Sequence, residues 1–287
     1  YVVPINNKCY ASTPYSLYYY DLEDNSVNRL TTINGLSELG VSIIHPNHQN
    51  NALVVGYNSG NIDIVKGDQI INISAIVNSS VIGDRKIYGM YSKDNFTYLA
   101  TGFGIVVLDV NKEEIKDTYY IGNNGEQIKV NDITIGGGYI YAATDLGVIF
   151  ASENTPFLAN PASWTELIVP LTSATNFELI EYINGVSSER LVVIQKGSSL
   201  NDDVGFCYEN NSWSSPAELN SDEINSIELN ASNLVVSKNG SVIEYDWTFN
   251  DLESLFTFSG VSNVAPNHAV WDGSKYWIGD RKLGLIA

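Results

Sequence analysis

"YLATGFGIVVLDV", Tyr98 to Val110, decides the fold. It reads as a hairpin: an apolar strand, a Gly102-Phe103-Gly104 turn, and a second apolar strand closing on Asp109. The design recurs at Cys9 to Asp21 ("CYASTPYSLYYYD"), Ala52 to Gly67 ("ALVVGYNSGNIDIVKG") and Ile140 to Glu153 ("IYAATDLGVIFASE"). It returns at Leu234 to Asp246 ("LVVSKNGSVIEYD") and Tyr276 to Ala287 ("YWIGDRKLGLIA"). Aligned on the turn, Ser16, Gly60, Gly104 and Gly147, and then Gly240 and Gly284, are spaced by roughly 43 residues, the period of a four-stranded propeller blade. The interval from Gly147 to Gly240 is twice as long and hides one copy at Leu191 to Asn211, its turn lengthened by the polar insert Gly197 to Asp203.

The second unit shows the strands: a at Val41 to His45, b at Leu53 to Tyr57, c at Asn61 to Val65 and d at Gln69 to Ile73. Short polar turns join them, as in an antiparallel meander. One meander leaves two apolar faces exposed; stacking blades in a closed ring buries them. The expected fold is all-β, a seven-bladed β-propeller of four-stranded antiparallel blades. The blades fall near 1–32, 41–76, 87–121, 130–169, 177–216, 224–258 and 267–287, one domain over 1–287. Tyr1 to Asn7 reads as strand a of the first blade and Leu283 to Ala287 as strand c of the last, so the outermost strand of blade seven is expected beyond one end, in a longer protein.

Helical periodicity is almost absent; Asn154 to Ser163 and Asp251 to Leu255 are the exceptions, each a loop or a single helical turn. The residue palette suits strands, with 18 Tyr, 44% hydrophobic residues and one Met. Fifteen Lys plus Arg against 33 Asp plus Glu give a charge of −18, which repels phosphate backbones and anionic lipid heads, so no nucleic-acid partner is expected. No apolar run is long enough to span a bilayer, and "YVVPINN" is not a signal peptide, so any targeting signal is expected upstream of Tyr1.

Cys9 and Cys207 fall on blades one and five, which are not neighbours, so no disulfide joins them. Without CxxC or Cys/His spacing no zinc site is expected, and the pair His45 and His48 in "HPNH" reads as a solvated Pro/Asn turn. Gly136-Gly137-Gly138 lacks a following Lys-Ser/Thr and a helix, so it is the turn between strands a and b. Gly102-Phe103-Gly104 lies between two strands and is no dinucleotide fingerprint. "GDRK" occurs at Gly83 to Lys86 and Gly279 to Lys282, at different places in the blade, which makes the repeat accidental. The adjacent acids Glu113-Glu114, Asp202-Asp203 and Asp222-Glu223 read as solvated turns, no Ser is tied to a His and an Asp, and "SLNDDVG" lacks the spaced pattern of a calcium loop. No catalytic residue, cofactor or metal is expected.

Ligands of a propeller are expected where the loops entering strand a converge: Asn34 to Gly40, Ser79 to Lys86, Asn123 to Asn131, Pro170 to Asn176, Asn220 to Asn225 and Gly260 to Asn267. Asn recurs near their ends, at Asn131, Asn176, Asn225 and Asn267. It tolerates unusual backbone angles and caps turns, and it also offers an amide to a sugar. With Asn34, Glu38 and Arg85 these form the candidate ligand-binding set.

Gly35 to Val65 and Val261 to Ile286 resemble the two-component regulator propeller repeat: GL and Asn before strand a, an Asp/Gly turn, an aromatic-Ile-Gly strand, then GL. The stretches "CYASTPYSLYYYDLEDNSVNRLTTINGLSELGVS", "GNIDIVKGDQIINIS" and "GFGIVVLDVNKEEIKDTYYIGNNGEQIKVNDITI" resemble the amino-terminal propellers of the PorZ family, surface subunits of the type IX secretion system of Bacteroidetes. This resemblance covers Cys9 to Ala151; the second half matches only in blade rhythm. It implies a non-enzymatic scaffold on the outer face of the outer membrane, other attachment-complex subunits as partners, and lipopolysaccharide or another glycan as ligand. The repeat implies an alternative, a periplasmic oligosaccharide-sensing propeller of a hybrid two-component regulator. A propeller glycosidase or lyase is the remaining class.

Overall fold

The structure, a computed structural model, describes residues 1–185, 188–199, 201–231, 233–254 and 264–287. It is a seven-bladed β-propeller of antiparallel meanders, as the hairpin period predicts. The innermost strands, a, are Val2–Ile5, Val41–Asn47, Ile87–Lys93, Val130–Gly136, Phe177–Asn184, Ile224–Asn230 and Pro266–Trp271. Blade seven continues with Tyr276–Asp280 and Gly284–Ile286, the three strands it shows among the described residues. The hidden copy is blade five, whose strands b and c are Glu189–Gln195 and Asp203–Glu209. That blade carries one strand more than expected: Asn220–Asp222, within a loop entering strand a, pairs with its strand c.

The opening hairpin is strands b (Phe96–Thr101) and c (Gly104–Asp109) of blade three, in register from Phe96 opposite Asp109 to Thr101 opposite Gly104. The Thr101 hydroxyl donates to Gly104 O at 2.8 Å and accepts from Phe103 N at 3.3 Å, which locks the two-residue turn. Thr144, Leu146 and Gly147 repeat this device in blade four. Gly104 is required twice over: its φ is +144°, and a Cβ there would stand 2.3 Å from Tyr119 O.

Each blade buries its faces against its neighbours, giving seven apolar clusters, one per interface. The cluster of Val2, Cys9 and Trp277 joins blade one to blade seven and closes the ring. Both cysteines are free and buried, Cys9 in that closing interface and Cys207 between blades five and six.

Three sequence expectations are corrected. His45, Pro46 and Asn47 are the end of an inner strand, not a solvated turn; only at His48 does a short 3-10 turn begin. Asp251–Ser254 is strand d of blade six, held by pairing of Tyr245 with Asp251 and Ile243 with Ser254; Leu255 lies outside the described residues, as does the end of that blade to 258. Asp203 is not a solvated acid: it is 3% exposed, pairs with Lys196 Nζ at 2.8 Å and accepts from Gly197 N and Ile224 N. Ladder pairing and burial outweigh local composition at each of these places. Asn154 to Ser163 forms turns and one 3-10 helix at Pro161–Ser163.

Two hairpin glycines with positive φ give a test, because Gly240, a turn residue between Lys238 and Ser241, has φ +87° but open space where a Cβ would go. In urea unfolding, Gly104→Ala should cost about 3 kcal/mol or more through the clash. Gly240→Ala should cost about 1 kcal/mol. Equal losses would contradict the close approach.

Candidate functional site

The seven strands a surround a central cavity of about 1260 Å³. Their hydrogen-bonding edge facing the axis has no strand beside it, so its polar groups need side-chain partners. Blade four provides them for blade five: Asp132 Oδ2 accepts from Ile180 N at 3.1 Å, and Thr134 Oγ1 accepts from Tyr182 N at 3.2 Å. His268 of blade seven does the same for blade one, with Nδ1 3.4 Å from Val2 N. Asp132 and His268 occupy the same place, the third residue of strand a. Pro46, at the place Tyr182 holds in blade five, has no N–H to satisfy, which explains a proline inside an inner strand.

The second residue of strand a is a β-bulge. The register skips Ser42, Tyr88, Asn131, Glu178, Asn225 and Asn267 in blades two to seven. This explains why Asn recurs there. Asn131 Nδ2 donates to Phe177 O at 2.9 Å, and Asn225 Nδ2 donates to Pro266 O at 3.0 Å, each reaching the first residue of the next inner strand. Arg281 then brings two of the candidates together, donating to Asn225 Oδ1 and Asn267 Oδ1, both at 2.9 Å.

Of the seven candidate ligand residues, Asn131 and Asn225 line the cavity. Asn176 donates to Lys196 O, and Asn34 caps the turn at Thr31 and donates to Arg29 O. Glu38 accepts from the Ser59 hydroxyl. Arg85 donates to the carbonyls of Val77, Ser79 and Val81 and pins its own loop. These four hold loops in place and do not converge. Residues 260–263 of the last entering loop lie outside the described residues.

Most of the cavity wall comes from the inner strands and not from the loops that enter them. At the mouth, Lys86 and Lys129 stand over the Tyr88 ring at 4.7 and 4.5 Å, and Lys129 approaches Asp145 at 3.6 Å. Deeper lie Asp132, Glu181, Glu228, His45 and His268. Burial raises Asp132 to about 7 and pushes Glu181 well above the usual carboxylate range, with the Glu228 charge adding to both. Burial lowers His45 to about 4 and keeps it neutral. The signal lies in the sequence: an Asp or Glu at the third or fifth place of an inner strand, as in "VNDITIG" and "INSIELN".

These groups set opposite pH slopes. An acid raised in the folded state stabilises the fold below its unfolded value and loses that contribution as pH rises, for Asp132 between about 4 and 7. A histidine lowered to about 4 contributes fully above pH 6.5 and loses the contribution as pH falls toward 4. Asp132→Asn should therefore make the slope of stability against pH between 4.5 and 6.5 more positive in urea titrations; an unchanged slope would contradict the burial of that carboxyl. Asn131→Ala and Asn225→Ala should each cost about 1 to 2 kcal/mol by the same measurement, since each removes a bond between blades.

Among curated proteins no sequence matches. One similar solved structure is PorZ, a bacterial surface component of the type IX secretion system of Porphyromonas gingivalis. The two are 22% identical with a TM-score of 0.73, over 99% of this chain and 36% of that one, so this chain spans about a third of that protein. Another is the extracellular domain of a protein described as a one-component system of B. thetaiotaomicron, 13% identical with a TM-score of 0.52, over 97% of this chain and 44% of that one. Both likenesses are of fold. The family model for the type IX secretion PorZ N-terminal β-propeller domain matches residues 9–165, more than half of the chain, and the chain therefore belongs to that family.

Proposed function

We propose that this propeller is a non-catalytic binding and scaffolding module of a PorZ-like subunit at the cell surface. It presents the channel mouth to lipopolysaccharide or another glycan and its outer surface to other subunits of the secretion attachment complex. The observation that carries the ligand reading is the Lys86, Tyr88 and Lys129 cluster at the mouth of the cavity that Asn131 and Asn225 also line. Two ammonium groups and an aromatic face suit an anionic sugar, which the net charge of −18 would otherwise repel. Local placement replaces bulk attraction. A surface location agrees with this reading, and no helix among the described residues is long and apolar enough to cross a membrane. A non-catalytic role is supported by Asp132, whose two oxygens already accept from Ile133 N and Ile180 N.

Binding of purified lipopolysaccharide to the immobilised chain tests the mouth. Lys86→Ala with Lys129→Ala should weaken it at least fivefold, whereas Lys112→Ala, far out on the turn after strand c of blade three, should leave it unchanged. Equal affinity in the double variant would overturn the assignment of the mouth. A pull-down from outer membranes that recovers no secretion subunit would overturn the scaffold role.

A further inference from the structure

The middle of the channel has a chemistry different from its mouth. Glu228, the fifth residue of strand a in blade six, reaches toward the axis: its charge acts on Tyr1, His45, Asp132 and Glu181, from blades one, two, four and five. On its own side it meets His268 Nε2 at 2.8 Å. Two residues earlier on the same strand and on the same face, Ser226 also lines the cavity. Ser226 is 5% exposed and its Oγ has no hydrogen-bond partner. Such an oxygen is costly to leave unpaired in a folded protein. The lysines that line the cavity stand apart from Glu228: Lys86 and Lys129 gather at the mouth around Tyr88, and Lys196 is paired with Asp203. The middle is therefore rich in acceptors, and among the described residues His268 is the one basic side chain paired with Glu228.

We propose that the channel around Glu228 and Ser226 binds a slender organic cation of the primary alkylammonium class, with its N–H groups directed at the Glu228 carboxylate, the Ser226 hydroxyl and Glu181. A compact metal ion fits less well. The acids come from separate blades, Asp132 already accepts two backbone N–H groups, and no group of three metal-ligating side chains converges among the described residues. A neutral sugar would need donors as well as acceptors. The cation could be a free polyamine or a lysine side chain of a partner, and the site is independent of the mouth lysines.

Calorimetric titration of the whole chain at pH 7.5 with spermidine, and separately with trilysine, tests this. Saturable binding is expected, with protons released as the raised carboxyls ionise against the cation. Glu228→Gln should weaken it at least tenfold and Ser226→Ala about threefold, both with an unchanged circular dichroism spectrum, and Lys112→Ala, on the outer turn of blade three, should leave it unaltered. Binding of spermidine assigns the site to free amines, and binding of trilysine alone assigns it to a protein side chain. No saturable binding of either, equal affinity in Glu228→Gln, or calcium binding that spermidine does not displace would each overturn the proposal.

Discussion

Every blade of this propeller exposes one strand edge to the central channel, and the polar groups on that edge must find partners outside the ladder. This requirement organises the inner wall. Where blades four and five meet, and where blade seven meets blade one, a polar side chain at the third residue of strand a bonds the next blade's edge N–H. At the bulge just before it, Asn131 and Asn225 bond the next blade's first carbonyl. The ring is thus joined by apolar clusters between blade faces and by a polar seam around the axis. Removing a partner leaves a buried group unsatisfied.

The same seam produces the channel's chemistry. A carboxylate placed to accept a backbone N–H is also placed inside a narrow, partly desolvated space, where it is hard to ionise. Asp132 serves the fold and at the same time contributes to the field in which Glu181 and Glu228 sit. The channel is accordingly acidic at depth, while the lysines gather at the mouth. Fold stability and the proposed ligand site share residues here, so their effects have to be separated by variants that change charge while keeping shape.

The blade rhythm is legible in the sequence because each hairpin is local, and in blades three and four it is a threonine, two turn residues, then a glycine with positive φ. The Gly104 and Gly147 hairpins state it most clearly. The hidden fifth blade was found by period even though its turn carries an insert. The site was less legible. The asparagines stood out as a repeat, but their regularity comes from the bulge and the contact between blades, which involve residues about 40 positions apart. In the sequence alone "HPNH" reads as a turn; that a channel-facing edge needs no N–H at Pro46, so that the strand runs on to Asn47, is visible only once the strands are placed in a ring. Glu228 and His268 likewise acquire meaning from neighbours on other blades.

The central claim is that side chains of one blade satisfy the free inner edge of the next. Hydrogen exchange of the Val2, Ile180 and Tyr182 amides measures this directly, because none of the three donates to a neighbouring strand. The account predicts that these amides exchange as slowly as ladder amides of the same blades, and that Ile180 alone becomes fast in Asp132→Ala. Exchange of all three at open-chain rates in the unaltered protein would contradict it.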